Sequence, residues 1–496
     1  MSYVLLTGAT GLLGNYLLRN LLQKDVPVAV LVRRGRRQTA RERVEQLLQG
    51  WDEESGTLLP RPVVLEGDLS QPDLGLDANS LRWATEHCTS VINNAASLQF
   101  VATSSEGEPY RTNIQGTCHV LEFCRQASIR KFHHVSTAYV AGLRKGRVLE
   151  TELDVGQELG NDYEKSKLTS ERMVREFDAF DEVTVYRPGI IVGDSKTGYT
   201  TTYHGFYAAL QLSHTLAASQ QPNETGYIGG HVRLALEGNE TKHLVPVDWV
   251  ADVMVHVFMH PDMHGKTYHL TPQHPVTTRV ISDTLQESCK FYGVDFVGPD
   301  AHPEEISEAE ELFYEHIRVY NSYWRMDPEF DRTNTLAAAP HLPCPHLSKS
   351  LLLKLSKMVI NAGFPTPGKK PVVIERDSQA LLQPLLEAGQ QLRQVASLDR
   401  ALGLDIRGFG GGQYQLLARK GQLIGAETGI HADRQATAQL DSATFEELIQ
   451  GKLSPERALS EGRLQIQASH PNRAQDATSL LQHLTTTPAT KARQTI

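Results

Sequence analysis

The chain has 496 residues, 40% hydrophobic and 22% charged, an ordinary composition for a folded globular protein and too long for a single core. Its formal net charge of −9 leaves no basic footprint for nucleic acid, and its five cysteines show neither metal spacing nor an even disulfide framework, which fits a reducing compartment. Met1 leads directly into an apolar run, and the most apolar late stretch, Leu351 to Ile360, carries Lys354 and Lys357 and is too short to span a bilayer; the expectation is a cytoplasmic protein without signal peptide or transmembrane segment.

Tyr3 to Leu6 reads as a buried strand, which breaks into Thr7-Gly8-Ala9-Thr10-Gly11-Leu12-Leu13-Gly14. A helical stripe of Leu13, Leu17 and Leu21, with Leu18 and Leu22 beside it, follows. Strand, tight turn and helix is the order a dinucleotide site needs. Glycines at 8, 11 and 14 let backbone approach a pyrophosphate, with Thr10 and Leu12 between them, and the helix N-terminus offers free N–H groups. The alternative is a plain turn before a packed helix.

Val28 to Val32 is the second strand, and it runs into Arg33-Arg34-Gly35-Arg36-Arg37. An NAD site would carry an acid at that strand end for the ribose 2′-hydroxyl. Asp25 precedes the strand and so lies at its wrong end. Arg33 and Arg34 suit a 2′-phosphate, which makes NADPH the expected cofactor; the other reading is a solvated basic loop. A third strand, Val63 to Leu65, ends at Gly67-Asp68-Leu69, where Asp68 is placed to meet the adenine amino group. A fourth, Ser90 to Ile92, ends in Asn93-Asn94-Ala95-Ala96, small residues across which a cofactor can lie. Asn113, expected with Leu69, Tyr163 and Lys167 among the cofactor contacts, opens a further amphipathic helix through Val120, Leu121 and Cys124. This alternation predicts an α/β fold, a Rossmann-type doubly wound parallel sheet.

Phe132 to Val135 is a strand ending in Ser136-Thr137, and Tyr163 and Lys167 follow at a spacing of four, on one helix face. A lysine ammonium there is expected to lower the tyrosine's pKa. The phenol would then protonate a developing alkoxide that Thr137 or Ser136 also holds. Alone, such a pair reads as a surface helix contact. After a glycine turn and a strand ending in Ser-Thr, it reads as catalytic.

Together the glycine turn, Asn93 to Ala96, Ser136-Thr137 and Tyr163…Lys167 resemble the extended short-chain dehydrogenase/reductases. Tyr186-Arg187-Pro188-Gly189-Ile190-Ile191-Val192-Gly193-Asp194-Ser195, Leu31-Val32-Arg33, Leu153-Asp154-Val155-Gly156-Gln157 and Pro246-Val247-Asp248-Trp249 resemble the thioester reductase and fatty acyl-CoA reductase branch. The resemblance covers about residues 1–370. It implies Thr137, Tyr163 and Lys167 as catalytic, Gly8, Gly11, Gly14, Arg33 and Asp68 as cofactor contacts, and Pro188, Gly189, Ile190 and Ile191 as a wall beside the nicotinamide. It also implies a smaller substrate lobe. The expectation is that no adenylation or carrier domain precedes the reductase and that the acyl thioester comes from outside, on coenzyme A or a carrier protein.

From Thr277 to Lys370 the chain reads as helices and loops. Phe313 to Trp324 is aromatic-rich and reads as core. His341, Cys344 and His346 lie in a proline-stiffened loop with no second ligand cluster, so no metal is expected. Pro365 to Pro371 reads as a linker, and 371–399 as linker and helix, with helical character from Leu381 to Leu392. Tyr414 to Ala418 and Lys420 to Ile424 read as a hairpin. Ser442 reads as the N-cap of a helix bearing Phe445, Leu448 and Ile449. Ser454-Pro455-Glu456 opens another helix, and Leu464 to Ile466 alternates as a strand. The run from Phe445 to Ile466 resembles a sterol-carrier-protein-like domain, about residues 400–485, which implies a small α+β fold enclosing a lipid. The other reading is a cap used for dimerisation in a homodimer. Residues 486–496 are expected to be disordered.

The expected activity is NADPH-dependent reduction of an acyl thioester to aldehyde or alcohol. The alternatives are an NAD(P)-dependent epimerase or dehydratase, a ketone reductase on the same scaffold, and a catalytically silent lipid-binding regulator, which would not need Thr137, Tyr163 and Lys167 together.

Overall fold

The computed structural model describes residues 2–486 except 57, 219–227, 302–309, 312–313, 316–317, 365–377, 393–398, 408–410, 421, 432–433, 462 and 469. The expected linker at Pro365 to Pro371, Phe313 and nearly all of the C-terminal tail lie outside the described residues. By internal contacts the chain divides into two compact units. One comprises Met1–Leu21, Pro27–Arg33 and Leu65–Lys369; the other comprises Leu22–Val26, Arg34–Val64 and Lys370–Ile496. Among the described residues, no helix is long and apolar enough to cross a membrane.

Strands and helices alternate through the first part of the chain: β1 (Tyr3–Thr7), α1 (Leu12–Leu22), β2 (Val28–Val32), α2 (Ala40–Ser55), β3 (Val63–Glu66), α3 (Ala78–His87), β4 (Cys88–Asn93), α4 (Gly116–Gln126), β5 (Lys131–Val135), α5 (Asp162–Glu176) and β6 (Glu182–Pro188). After α6 (Val247–Met259) comes β7 (Thr267–Leu270). The seven strands form one sheet in the order β7-β6-β5-β4-β1-β2-β3. Val4 pairs with both Val28 and Ser90, Ile92 with His133, Phe132 with Val183 and Tyr268 with Tyr186, all in parallel registers. Every residue of β1 and of β2 is buried, the continuous apolar run required of strands covered on both faces. This is the doubly wound Rossmann-type sheet, with its strand order reversing between β1 and β4, where such folds open a ligand crevice.

A smaller lobe packs Phe206, Leu210, Leu352, Leu355 and Val359 into one core. The expectation of only helices and loops after Thr277 fails here, because Phe291–Phe296 is a strand, parallel to Ile228–Leu234. Gly293, at φ 114, sits inside that strand where its register shifts, a local irregularity that hides the alternation.

The C-terminal part of the second unit is α+β: α7 (Ser378–Leu392), β8 (Asp399–Arg407), β9 (Gly412–Arg419), β10 (Gln422–Thr428), β11 (Ala436–Asp441), α8 (Ser442–Ile449), α9 (Pro455–Ser460), β12 (Leu464–Ala468) and α10 (Pro471–Thr486). Its five strands run in the order β10-β9-β8-β11-β12. β9 and β10 form the expected antiparallel hairpin, whereas β8 and β11 are parallel and were not foreseen. Leu382, Leu402, Leu404, Leu416, Phe445 and Leu481 fill the core between sheet and helices. The cap of α8 is Asp441 rather than Ser442: its carboxylate accepts from the Thr444 N–H at 2.8 Å and the Thr444 hydroxyl at 2.7 Å. Aspartate accepts both bonds with charge assistance and displaces serine by one position. Ser454 caps α9 as expected, with Pro455 in its first turn.

Candidate active site

The glycine turn is sterically determined at two of its three positions. Gly8 has φ +70, and a β-carbon there would lie 2.8 Å from backbone atoms of Ala95. A β-carbon on Gly14 would meet the Gly8 carbonyl oxygen at 2.0 Å. Gly11 differs: among the described residues its only near neighbour would be that same oxygen at 3.4 Å, so a side chain there would stand in the open space before α1. That space, the free N–H groups of the α1 N-terminus and the absence of an acid in its first turn fit a dinucleotide pyrophosphate. Thr10 is half-buried and Leu12 buried on either side of Gly11.

At the switch point Thr7 Oγ1 donates to Asn93 Oδ1 at 2.8 Å and accepts from the N–H groups of Asn94 and Ala95, each at 3.0 Å. The Asn94 amide donates to the carbonyls of Thr7 and Gly8 at 3.4 and 3.2 Å. Asn94 thus braces the glycine turn, while Ala96 is exposed. Arg33 and Arg34 follow the last residue of β2, both exposed. Asp68, just beyond β3, accepts from the Ser70 N–H at 3.0 Å and the Ser70 hydroxyl at 2.9 Å. Leu69 is buried and packs on Gly116, where a β-carbon would come within 2.0 Å of its Cδ1.

Asn113 belongs to a π-helical turn, Arg111–Gln115, that leads into α4. It is 2% exposed. Its side chain accepts from the Ser97 N–H at 2.7 Å and donates to the Ser97 carbonyl at 3.1 Å and to Ser166 Oγ at 2.8 Å. The protein itself therefore takes up both ends of this amide, in a brace between the loop after β4 and helix α5. Asp162 ties the same loop down, accepting from the Ala102 N–H and the Tyr110 hydroxyl, each at 2.8 Å.

The structure brings Thr137, Tyr163 and Lys167 together at the carboxyl end of β5. Asn161 caps α5 by accepting the Glu164 N–H at 2.9 Å, which sets Tyr163 in its first turn and Lys167 in its second. Burial pushes the Tyr163 phenol well above its ordinary pKa, and its hydrogen bond with Thr137 pulls the other way. The expectation that Lys167 lowers this pKa is corrected. The Lys167 ammonium is 3% exposed and donates to the Val135 carbonyl at 2.7 Å. Burial holds it down at about 8, opposed by Glu171. Between the two candidate hydroxyls, Thr137 pairs with Tyr163, whereas Ser136 sits beside the Glu171 carboxylate and helps to keep it charged.

Three features of this site carry weaker sequence signals. Glu171, four residues past Lys167, is fully buried; it accepts from Arg187 Nη2 at 2.7 Å and Nε at 3.1 Å and from Arg175 Nη2 at 2.7 Å. Phe100 lies 5.7 Å from the Tyr163 ring, between centroids, and Tyr323 lies 5.5 Å from Phe100. The Glu171 spacing was readable on the same helix face. Phe100 and Tyr323 had no signal beyond aromatic character. Pro188 ends β6, and Gly189 is required there, since a β-carbon would meet the His243 carbonyl oxygen at 2.2 Å. Ile190 and Ile191 continue into a short strand beside Leu244–Pro246, half-buried. Asp248, in α6, accepts from the Ser195 N–H at 3.0 Å and hydroxyl at 2.6 Å, joining two segments that the sequence singled out. Among the described residues, no group of three or more His, Cys, Asp or Glu side chains is placed to hold a metal ion.

A family described as Male sterility protein, of NAD-binding type, matches residues 6–254. The chain is 27% identical over 296 residues, 55% of its length, to the nonribosomal peptide synthetase asaC of Aspergillus flavus. It is 29% identical over 298 residues, again 55% of its length, to the L-2-aminoadipate reductase large subunit of Penicillium chrysogenum. These matches take in 26% and 19% of the two relatives, so the chain spans about a quarter or less of their length. Among solved structures, the terminal R domain from the myxalamid PKS-NRPS pathway is similar with a TM-score of 0.59 and 26% identity, covering 74% of this chain and 93% of that one. The matched segment holds the glycine turn, Thr137, Tyr163, Lys167 and Asp248, and on that match the chain belongs to the NAD-binding male sterility protein family.

Proposed function

We propose that the protein is an NADPH-dependent reductase of acyl thioesters, carried on coenzyme A or on a carrier protein, releasing an aldehyde or alcohol. The observation that carries this reading is the Thr137–Tyr163 hydroxyl pair above the buried Lys167, at the strand ends beside the glycine turn. Likeness to an R domain of a PKS-NRPS pathway and to an aminoadipate reductase supports a carrier-bound or activated carboxyl as substrate. Arginines rather than an acid after β2 support NADPH over the tightly held NAD of an epimerase.

Gly8, Gly11, Gly14 and the α1 N-terminus would hold the pyrophosphate, Arg33 and Arg34 the 2′-phosphate, Asp68 the adenine, and Pro188 to Ile191 the nicotinamide side. The bound cofactor supplies hydride to the thioester carbonyl carbon. Thr137 and Tyr163 donate hydrogen bonds to the carbonyl oxygen as it gains charge. A phenol kept protonated by burial is a donor at neutral pH, and the oxyanion takes its proton. The C–S bond of the resulting hemithioacetal then breaks, giving aldehyde and free thiol. In the same reading, residues 400–485 are a sterol-carrier-like module that holds an acyl chain, supported by the α+β fold and apolar core of that segment.

The test is NADPH oxidation with a panel of acyl-CoA and acyl-phosphopantetheinyl thioesters, with products identified by mass. Aldehyde or alcohol plus free thiol is expected. Turnover of a nucleotide sugar or a ketone, with every thioester inert, would overturn the proposal.

A further inference from the structure

Glu171 and Lys167 share one buried face of α5, one turn apart, yet the Lys167 ammonium donates to the Val135 carbonyl while the Glu171 carboxylate is taken up by two arginines. Arg187 from β6 engages both carboxylate oxygens, at 2.7 and 3.1 Å, and Arg175 adds a bond at 2.7 Å. Arg187 is itself locked: its Nη1 donates to His269 Nε2 at 3.2 Å, and His269 Nδ1 donates to the Asp331 carbonyl at 2.8 Å. Because a guanidinium can only donate, the imidazole is fixed as the neutral Nδ1–H tautomer. We propose that Glu171 is a positioning residue, an immobile negative charge pinned by Arg187 and Arg175, which keeps the Lys167 ammonium charged and directed at the carboxyl end of β5.

The electrostatics agree with the geometry. Burial opposes charge on Glu171, but Arg187 and then Arg175 hold its carboxyl down at about 2, so it stays ionised throughout the working range. Glu171 raises Lys167 against burial. The other groups facing this face of α5 do not compete. Tyr163 precedes Lys167 by one turn as a protonated phenol. From β5 comes His134, held neutral by burial and by Lys167. Arg187 comes from β6, and His269 from β7 is held neutral at about 4. Without the fixed carboxylate, a lysine this buried would lose its proton near neutral pH. An exposed lysine would not need such a device.

The test reads the lysine directly and does not depend on turnover. Lysine labelled with 13C at Cε is incorporated biosynthetically, the Lys167 resonance is assigned by its loss in Lys167→Met, and its titration midpoint is followed by NMR. The wild-type midpoint is expected near 8; in Glu171→Gln it should fall to about 7 or below. Since Glu171→Gln strips Arg187 of its charged partner, Glu171→Gln combined with Arg187→Met removes both charges and should show the same fall. Glu171→Asp, which keeps the charge, should restore a midpoint near that of the wild type. The kinetic arm rests on the reductase reading: in Glu171→Gln, kcat at pH 8 should fall about fivefold and recover at pH 6, following the lower midpoint. An unchanged Lys167 midpoint in both the single and the double variant overturns the inference, whatever the activity. A lowered midpoint in a protein that reduces no thioester overturns the reductase reading alone.

Discussion

Asn113 donates to Ser166 Oγ at 2.8 Å, joining the turn before α4 to the helix that carries Tyr163 and Lys167. Its other bonds, to both backbone groups of Ser97, place the loop after β4 at the same point. Asn113→Ala removes all three, leaving the half-buried Ser97 backbone groups and the buried Ser166 hydroxyl each without one bond, at about 1 kcal/mol apiece. Weaker NADPH binding and roughly tenfold lower kcat are expected together, because the loop and helix α5 lose their common brace. Asn113→Asp keeps the acceptor for the Ser97 N–H and should be less severe in loop order but equally poor in aligning α5. Steady-state kinetics with cofactor fluorescence titration checks this; a variant with unchanged affinity and turnover would show that the loop is held elsewhere.

Tyr163→Phe should slow the chemical step by about 100- to 10,000-fold, the range for a positioned general acid. NADPH affinity should change little, since the ring remains beside Phe100. Thr137→Val should cost less, because one of two donors to the oxyanion survives. Single-turnover rates at saturating NADPH measure both. A fully active Tyr163→Phe enzyme would mean that the proton comes from another group.

At the end of β2, Arg33→Ala and Arg34→Ala are expected to separate the two cofactors. A charge-assisted bond to a 2′-phosphate is worth about 1.5–3 kcal/mol, or roughly ten- to hundredfold in affinity. NADPH binding should weaken by that factor while NADH binding holds. Equal losses for both cofactors would remove the arginines from the recognition of the phosphate.

The sheet from β1 to β5 was legible because buried parallel strands are apolar runs punctuated by turn residues. The seventh strand was not: Thr267–Leu270 has only four residues and carries His269, whose polarity is satisfied only by Arg187 and the Asp331 carbonyl, far away in sequence. In the C-terminal segment the hairpin was readable from local glycine and alternation. The parallel pairing of β8 with β11 is non-local and leaves no turn signal between them. At the site, spacing alone put Tyr163 and Lys167 on one face, but the charge balance there depends on burial. That is why the phenol is raised rather than lowered. Asn113 was read as a cofactor contact from its place before a helix; only its three-dimensional partners reveal the brace.

If residues 400–485 hold an acyl chain, a photoactivatable fatty acyl probe should label the full-length chain there, near the core that includes Leu402, Leu416 and Phe445. Each buried methylene contributes about 0.8 kcal/mol, so affinity should climb steeply with chain length. Peptide mapping by mass spectrometry locates the label. Labelling confined to residues 1–370, or affinity independent of chain length, would favour a capping or dimerisation role for this segment.

Stability should fall on mild acidification, earlier than carboxylate protonation would cause. His133, His134 and His269 are each about 1% exposed or less. Burial drives all three below their ordinary pKa, His133 and His134 strongly and His269 to about 4. A depressed folded-state pKa means that the unfolded chain takes up protons first, from about pH 6.5 downward, while the folded chain stays neutral. Stability is therefore complete above pH 6.5 and is lost as pH falls towards 4. Each histidine adds to that loss, and the three together cost on the order of a few kcal/mol between pH 7.5 and 5.5. Glu171 contributes nothing in this window, because its carboxyl, held down at about 2, parts from its ordinary value only below about pH 4.5. Chemical denaturation at pH 7.5, 6.5 and 5.5 measures the slope, and His133→Phe should make it shallower. A stability constant from pH 7.5 to 5.5 would mean that these imidazoles are protonated as readily in the folded protein as in the unfolded chain.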